Sequence, residues 1–304
     1  MKILILSRKR SLYSTKRLRE EGRNLGHEVD VVDPLRIVLR LSEGTPSMLV
    51  GARTLQPPRA VLPRIGTAGT IYSIAVVRHF ELMGVPVVNR ASAIEQAKNK
   101  LACLQVLARK GIPVPDTLMS RYPRDLDKLM KLVSGPPLIL KLLRGTQGTG
   151  VIFAESKASV ESMLETIWSL GEDIMIQRFI AESKGKDIRV LVIDGEVRAA
   201  MRRIAADGEF RSNIHRGGEG TPIELPPSYI EVAVKAAHLL GLEVSGVDML
   251  EGHAGPRLME LNSSPGFEGL ERATKQDIAG AMIDHALAFS EARRAAAAGQ
   301  PPVV

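Results

Sequence analysis

The first 90 residues alternate short apolar runs with a segment of helical spacing, and this alternation constrains the fold more than any other feature. Residues 3–6 and 29–32 are apolar, and between them the apolar positions of residues 14–25 recur at helical spacing. Strands that are joined through a helix lie parallel in one sheet. The pattern therefore predicts a parallel-sheet βα domain at residues 1–90.

A smaller α+β unit is predicted at residues 91–175. Residues 92–110 have helical spacing and are followed by Gly111, a residue typical of helix ends. Two strand-like runs, residues 138–143 and 151–154, flank a glycine-rich segment.

The remainder of the chain is rich in strands. Asp194-Gly195 joins two apolar runs, and this dipeptide is typical of a type I′ hairpin turn. A second α+β domain is therefore predicted at residues 176–290. Residues 291–304 are rich in alanine and then proline, and we predict a flexible tail there. The fold class is thus α/β followed by α+β, in three domains.

Cysteine content and the lengths of apolar runs restrict the compartment. Cys103 is the only cysteine, which excludes an internal disulfide framework and is typical of a reducing compartment. The apolar run at residues 3–6 is too short for a signal peptide. No run approaches the roughly 20 apolar residues that span a bilayer. We therefore expect a cytoplasmic protein without a membrane partner.

Positive charge is concentrated at the start of the chain. The formal net charge is +7, and residues 1–64 hold 13 Lys and Arg against 6 Asp and Glu. Such a region attracts an acidic peptide, small carboxylates or nucleic acid. Aromatic residues make up only 4% of the chain, and no strand carries the clustered aromatics that stack on bases. We expect no DNA partner, and a merely solvated basic surface stays open as an alternative.

Three residues with side-chain oxygens, Asp248, Glu260 and Asn262, form the most informative group. Glu260 and Asn262 are two residues apart, so they share one face of a strand. If residues 252–256 close a symmetric hairpin about residue 254, Asp248 lies opposite Glu260 at about 5 Å. Facing carboxylates repel unless a cation lies between them, and carboxylate and amide oxygens suit magnesium or manganese. The alternative is a pair of carboxylates on a solvated strand edge.

Glycines and lysines earlier in the chain suit phosphate groups. Gly145, Gly148 and Gly150 join two predicted strands, where backbone N–H groups can approach phosphate oxygens. No Gly-Lys-Ser/Thr sequence follows, so the segment is not a P-loop. Lys141 ends the strand before this loop, and Lys100 lies near the start of a helix. An ordinary flexible hairpin and two solvated lysines are the alternative.

The order of these features resembles the ATP-grasp superfamily. A lysine, a second lysine with a glycine-rich loop, an Arg/Asn segment and an Asp…Glu-x-Asn group follow one another. The segments DIRVLVIDGEV, FRSNIHRGG and MELNSSPGFEGLE resemble its RimK branch, and the resemblance runs from MKILILSR through PRIGT and NKL to GFEGLE. It implies a three-domain ATP-grasp fold, in which a parallel-sheet βα domain precedes two α+β domains that enclose ATP.

The resemblance also implies roles for individual residues. The implied ATP-binding set is Lys100, Lys141, Gly145, Gly148, Arg178, Phe179, Asp187, Arg211, Ser212 and Asn213. Arg203 and Arg211 are implied as catalytic, the metal ligands are Asp248, Glu260 and Asn262, and Asp187 is placed by the adenosine. Arg178 and Phe179 stand where the family commonly has Glu-Tyr. Because adenine is usually read there through backbone groups, we expect altered packing rather than lost binding.

The implied activity is that of an ATP- and magnesium-dependent ligase. The γ-phosphoryl group passes to a carboxylate, and an amine then displaces phosphate from the acylphosphate. ATP and two magnesium or manganese ions are the implied cofactors. RimK members add glutamate to the acidic C-terminal tail of the sixth small-subunit ribosomal protein, with free poly-α-glutamate as a further product to test. A homotetramer is implied, and Arg64 in PRIGT is predicted to contact the acceptor.

Three alternatives stay open at this level. A ligase of the same superfamily could add glutamate or another amino acid to a carrier protein or a cofactor, and the product mass would distinguish these. An RNA-associated basic module would bind with steep salt dependence and ignore ATP. A degenerate scaffold would bind nucleotide without catalysis, although the complete Asp248, Glu260 and Asn262 set argues against it.

Overall fold

The structure is a computed structural model that describes residues 1–66, 69–121, 125–143, 150–206 and 218–298. Five of the predicted site residues lie outside the described residues, namely Gly145, Gly148, Arg211, Ser212 and Asn213. Their implied roles therefore stay predictions.

A parallel sheet opens the chain, as the alternating pattern predicts. Its strands are Lys2–Leu6 (β1), Glu28–Val32 (β2) and Ala60–Pro63 (β6), in the order β2-β1-β6. The connecting helix α1, Tyr13–Asn24, ends before Gly26, whose φ of 80° suits a left-handed helix end. Helix α2 follows at Thr70–Leu82.

An antiparallel sheet between β2 and β6 was not predicted. Its strands are Ile37–Arg40 (β3), Ser47–Val50 (β4) and Arg53–Thr54 (β5). These strands are short and partly exposed, so they lack the long apolar runs on which the sequence prediction relied. A further strand predicted at residues 86–89 was wrong, because only a single parallel bridge joins Val61 and Val87 there.

The helix predicted at residues 92–110 is in fact two helices. They are α3, Ala91–Lys98, and α4, Lys100–Arg109. Asn99 between them is extended, and its side chain caps α4 by accepting from the backbone N–H of Ala102. Asparagine competes for backbone donors in this way, so it starts a new helix rather than continuing the old one.

A four-stranded sheet and two helices form a central unit with its own core. Its strands are Thr117–Met119 (β7), Leu138–Leu142 (β8), Val151–Ala154 (β9) and Ile174–Arg178 (β10), in the order β7-β10-β8-β9. The helices are α5, Leu126–Leu132, and α6, Lys157–Ser169. Buried residues of helices α3 and α4, which precede this unit in the chain, share a core with the C-terminal sheet, and the domain bounds stay a prediction.

The C-terminal part is built on a five-stranded antiparallel sheet. Its strands are Lys186–Ile193 (β11), Glu196–Ile204 (β12), Glu219–Pro222 (β13), Val244–Gly252 (β14) and Gly255–Asn262 (β15), in the order β13-β12-β11-β14-β15. The turn at Asp194-Gly195 has φ values of 55° and 69°. Positive φ at both central residues is the type I′ geometry that the dipeptide predicts.

Helices cover both faces of this sheet. Helix α7, Pro227–Leu239, packs with α3 and α4 on one face. Helices α8, Glu268–Thr274, and α9, Ile278–Ala298, pack on the other face together with the N-terminal parallel sheet. Helix α9 continues to Ala298, into the segment for which a flexible tail is predicted, and that tail stays a prediction. Within the described residues no helix combines the length and apolar character needed to cross a membrane.

Candidate active site

Charged side chains gather on one part of one face of the C-terminal sheet. Alternate residues of a strand point to the same face, and on β11 Leu191 and Ile193 of this face are buried in the core with α9. Nearer the start of the same strand, this face carries the charged residues Asp187 and Arg189 instead of apolar ones. This face of the sheet is therefore apolar at one end and charged at the other.

Asp187 and Arg203 form a buried ion pair at the charged end of this face. They lie opposite each other on β11 and β12, and their residues are 3% and 2% exposed. Arg203 donates through Nε to Oδ1 and through Nη2 to Oδ2 of Asp187, both at 2.5 Å. Both oxygens of Asp187 therefore accept from Arg203, and the structure places Asp187 as the partner that orients this guanidinium. The implied contact of Asp187 with adenosine stays a prediction.

Asp248 is held by two arginines. Arg189, its cross-strand neighbour, donates from Nε to Oδ1 at 2.7 Å and from Nη2 to Oδ2 at 2.6 Å. Arg203 adds an ion pair at 3.1 Å. Burial by itself would raise the pKa of Asp248, but the two guanidinium charges and their hydrogen bonds outweigh it and hold the pKa well below its usual range. Asp248 is therefore a fixed negative charge.

Asp248 lies opposite Glu260, as predicted, although the hairpin reaches this pairing differently. The turn contains two residues, His253 and Ala254, because Gly252 pairs with Gly255. A hairpin with this centre and no irregularity would not bring residues 248 and 260 together. The register shifts between Asp248 and Met249, where Met249 pairs with Leu258 and Asp248 with Glu260. A β-bulge at Met259 thus restores the predicted carboxylate pair.

The oxygen set fits a hard divalent cation. Glu260 and Asn262 are both partly exposed, and the amide nitrogen of Asn262 lies 3.5 Å from Oε1 of Glu260. A carboxylate has about four lone-pair sites, so Asp248 can accept from arginine and still offer a lone pair to an ion. Two carboxylates and an amide oxygen are the ligand types that magnesium prefers.

Two lysines approach this group from other parts of the chain. Lys141 comes from β8 of the central unit and Lys100 begins α4. Burial lowers the pKa of Lys141 to about 8; Glu260 and Asp248 oppose the shift, and the positive charge of Lys100 adds to it. Lys141 is therefore within electrostatic range of both carboxylates and of Lys100. The contact of Lys100 and Lys141 with phosphate stays a prediction.

Arg178 ends β10, the last strand of the central sheet in chain order, and Phe179 follows it. Arg178 is exposed and its Nη1 lies 3.6 Å from a carboxylate oxygen of Asp116. The ring of Phe179 lies 4.8 Å, centroid to centroid, from that of Phe153 on β9. Phe179 therefore packs against β9, the strand that follows the glycine-rich residues. Its contact with adenine stays a prediction.

Arg64 is buried rather than displayed to solvent. Its residue is 9% exposed, its Nη2 donates to the carbonyl oxygen of Pro265, and its guanidinium carbon lies 5.7 Å from the ring centre of Phe267. Burial lowers the pKa of Arg64 to about 10. Arg64 thus joins the N-terminal sheet to the loop after β15. A contact between Arg64 and the acceptor stays a prediction.

The same loop is anchored by a buried asparagine and a close glycine contact. Asn89 donates to the carbonyl oxygens of Val244 and Ser263, at 2.7 and 2.8 Å. A Cβ at Gly246 would lie 2.8 Å from the Cβ of Pro265, so only glycine lets the loop approach β14 this closely. Together these contacts position the strand end that carries Asn262.

An open cleft lies elsewhere on the sheet. It has a volume of about 540 Å³ and is lined by Glu182, Lys186, Arg202, Ile204, Glu251, Gly252 and His253. Arg202 belongs to the opposite face of β12 from Arg203, and it is paired with Glu251 at 2.7 Å. His253 is likewise 3.0 Å from Glu182. Because these four side chains pair with one another, this cleft is a weaker candidate than the group around Asp248.

Arg189 is the principal site residue that the sequence analysis missed. The signal was present, because Arg189 is two residues after Asp187 and so shares its strand face. Only the register of β11 against β14 reveals that it faces Asp248. Asn89 was missed because it acts between segments that are far apart in the sequence.

Solved structures show which class of protein has this fold. The ATP-grasp ligase PsnB, in a complex with a phosphomimetic variant of its minimal precursor, Mg and ADP, has a TM-score of 0.74 and 25% identity, covering 95% of this chain and 98% of that chain. A RimK domain protein ATP-grasp from Sphaerobacter thermophilus matches in fold with a TM-score of 0.72 and 23% identity, over 94% and 100% of the two chains. The fold and the charged site define an ATP-grasp ligase.

Sequence comparison places the chain within that class. A model of the RimK-like ATP-grasp domain matches residues 97–286, and a model of the RimK PreATP-grasp domain matches residues 1–94. A probable alpha-L-glutamate ligase 2 of Pseudoalteromonas atlantica is 47% identical over 284 residues, 93% of this chain and 94% of that protein. A probable alpha-L-glutamate ligase of Aliivibrio fischeri is 48% identical over the same shares. This chain belongs to the RimK family.

Proposed function

We propose that this ligase adds glutamate to the C-terminal carboxylate of an acidic peptide, with ATP as the energy source. The observation that carries the proposal is the ion pair of Arg203 with Asp248, opposite Glu260, together with the electrostatic influence of both carboxylates and of Lys100 on Lys141. Such a mixture of cations and metal-ligating carboxylates suits a triphosphate whose terminal group is transferred. The amino acid is proposed from the names of the relatives at 47% and 48% identity.

The reaction has two steps. A carboxylate oxygen of the acceptor attacks the γ-phosphorus of ATP, so that ADP leaves and an acylphosphate forms. The amino nitrogen of glutamate then attacks the acyl carbon, loses a proton, and expels phosphate as the amide bond forms. Positioning and charge stabilisation carry most of such catalysis.

The chain's own residues have distinct tasks in this scheme. Lys141 is protonated at pH 7 because its pKa is about 8, and we assign it to the transferring phosphoryl group as a point charge. Arg203, held by Asp187, presents a fixed guanidinium to the acylphosphate oxygens. Glu260, Asn262 and Asp248 would hold magnesium, or manganese, as one or two ions, and a bound ion supplies neutralisation of the phosphate charge.

The proposed acceptor is the acidic C-terminal tail of a small-subunit ribosomal protein, with free poly-α-glutamate as a further product. Arg8 and Lys9 follow β1 at the carboxyl edge of the parallel sheet and are exposed. Ligands of parallel sheets bind at this edge, and the exposed cations suit an acidic peptide. A homotetramer remains part of the proposal from the family resemblance.

A second candidate is peptide modification of another kind. The solved structures of PsnB include complexes with a minimal precursor and with a precursor peptide. At 25% identity PsnB is more distant than the glutamate ligase relatives, so we rank this candidate second. Addition of glutamate or another amino acid to a carrier protein or cofactor is the third.

Product mass tests the proposal directly. A peptide that ends in several glutamates is incubated with the enzyme, ATP and magnesium, and with each of several amino acids in turn. We expect mass increments of whole glutamate residues and of no other amino acid. A peptide with glutamine in place of glutamate is the control, and it should be a poorer acceptor. Increments of another amino acid, or of water loss alone, would contradict the proposal.

Glu260→Gln tests the metal site in the same assay. The variant keeps the size of the side chain and should keep the fold, while turnover falls by about 10²-fold or more because a charge that stabilises the transition state is lost. Glu251→Gln on the opposite face is the matched control and should retain turnover. Near-normal activity of Glu260→Gln at saturating magnesium would contradict the assignment.

A further inference from the structure

Three chain segments bring two carboxylates and a histidine together away from the candidate active site. Asp194 lies in the β11–β12 turn, Glu243 immediately precedes β14, and His285 lies on α9. One potential ligand atom from each residue lies within 4.8 Å of the others. Asp194 is five residues beyond Arg189 on β11, about 17 Å from the arginine that faces Asp248.

His285 is the unusual member of this group. It is 7% exposed, and neither ring nitrogen has a hydrogen-bond partner within the described part of the chain. Buried histidine nitrogens are ordinarily hydrogen-bonded, and exceptions call for an explanation. Both nitrogens face carboxylates: Nδ1 is 3.6 Å from Oδ2 of Asp194, and Nε2 is 3.3 Å from Oε2 of Glu243.

One ion can bind only one nitrogen of an imidazole ring, and the spacing at Nε2 fits a pair of metal ligands better than a hydrogen-bonded ion pair. Asp194 is nearest the other nitrogen, so its carboxylate must turn toward Nε2 to share the ion. An imidazolium that donates to a carboxylate contracts to about 2.7–2.9 Å. Two ligands of a tetrahedral ion with bonds of about 2.0–2.1 Å lie about 3.3 Å apart, which is the observed distance from Nε2 to Glu243. The side chain of Asp194 is 66% exposed, so it can adjust toward an ion and leaves an entry path from solvent.

We propose that Asp194, Glu243 and His285 bind a divalent transition-metal ion, with water completing the coordination. One imidazole nitrogen and two carboxylate oxygens form a donor set that zinc accepts, and mixed nitrogen and oxygen sites favour zinc over magnesium. The site is therefore chemically distinct from the all-oxygen group at Asp248, Glu260 and Asn262.

The position of the site indicates a structural task. Helix α9 packs against the N-terminal parallel sheet and the C-terminal sheet in one shared core, through residues such as Ile283 and Ala286. An ion on His285 ties α9 to the turn at Asp194 and to the start of β14. Binding to the folded state alone stabilises that state, so zinc should raise the melting temperature.

Zinc titration of the untagged chain tests the site. After treatment with EDTA and dialysis, the protein is titrated with ZnCl₂ by calorimetry, and bound metal is measured after gel filtration. We expect one zinc per chain that survives excess magnesium, a higher melting temperature, and a cobalt derivative with the visible absorption of a low-coordinate site. Loss of a ligand in His285→Gln or Glu243→Gln should weaken zinc binding by at least about 100-fold.

Two further variants keep the test decisive. Asp194→Asn changes an exposed turn residue whose positive φ asparagine tolerates, so it should fold even if His285→Gln does not, and it should still weaken zinc binding. His253→Gln is the matched control, because His253 is exposed and faces a single carboxylate, Glu182; its zinc affinity should equal that of the parent chain.

Two outcomes would overturn the proposal. The first is zinc binding that is absent from the parent chain or unchanged in Asp194→Asn and Glu243→Gln. The second is zinc binding that disappears in His253→Gln or in Glu260→Gln, which would place the ion elsewhere. If the His285 group affects stability without binding metal, it is an ion-pair cluster and the metal site is refuted.

Discussion

Replacing Asp187 by asparagine removes one of the two negative charges that neutralise Arg203. The pair is almost fully buried, with side chains 3% and 5% exposed. Breaking a buried ion pair by removing one partner costs about 3–5 kcal/mol, because the remaining charge is left without compensation. Arg203 keeps its 3.1 Å ion pair with Asp248, so we expect a loss at the lower end, about 3 kcal/mol.

A second ion pair in the same sheet provides the matched control. Arg202 donates to Glu251 in the same two-pronged geometry, at 3.1 and 2.7 Å, but its side chains are 36% and 31% exposed. Solvent screens such a pair, and its loss in Glu251→Gln should cost at most about 1 kcal/mol. Each variant replaces a carboxylate by an amide in a two-pronged pair with arginine, so the comparison tests the effect of burial. Arg203 keeps a second carboxylate partner, which reduces the expected difference.

Calorimetry and far-ultraviolet circular dichroism measure the two variants. The entropy of unfolding is about 2.1 cal/mol/K per residue, so a loss of 1 kcal/mol lowers the melting temperature of this 304-residue chain by about 1.6 °C. Asp187→Asn should therefore melt about 5 °C lower, and Glu251→Gln within about 2 °C of the parent. Trp168, the only tryptophan, packs in the central unit, so its fluorescence would not report on the C-terminal sheet. Equal shifts in both variants would refute the argument from burial.

Three further predictions concern Lys141, Cys103 and Gly246. The pKa of Lys141 is lowered from 10.5 to about 8, so the unfolded chain binds more protons than the folded chain between these pH values. The free energy of unfolding should therefore rise with pH from about 8 to 10.5 relative to Lys141→Met, and ATP affinity should fall as the pH passes about 8. Stability and affinity that do not change over this pH range would contradict the prediction. Burial raises the pKa of Cys103 to about 12, so iodoacetamide should label it only after unfolding, and rapid labelling of the native chain would count against the placement. Gly246→Ala should cost about 1–3 kcal/mol in denaturant unfolding and lower turnover, because its Cβ would meet Pro265; an unchanged midpoint would show that the loop can yield.

Local signals in the sequence predicted most of the secondary structure and the order of the site residues. The Asp194-Gly195 turn, the parallel strands β1 and β2 and the carboxylate pair of Asp248 and Glu260 are all confirmed. Each depends on short-range rules: a turn that needs positive φ, a helix between two strands, and a two-residue period. The sheet of β3 to β5 was missed because its strands are short and partly exposed.

The sequence by itself determined the family, the fold class and the residue types at the site, because these follow from local patterns and from the order of motifs along the chain. Only the tertiary structure decided which charges meet. The register of β11 against β14 places Arg189 on Asp248, and a bulge at Met259 rather than a symmetric turn aligns Glu260. Burial of Arg64 and the meeting of His285 with Asp194 join segments far apart in sequence. Such contacts depend on how whole elements pack, which no short window of sequence contains.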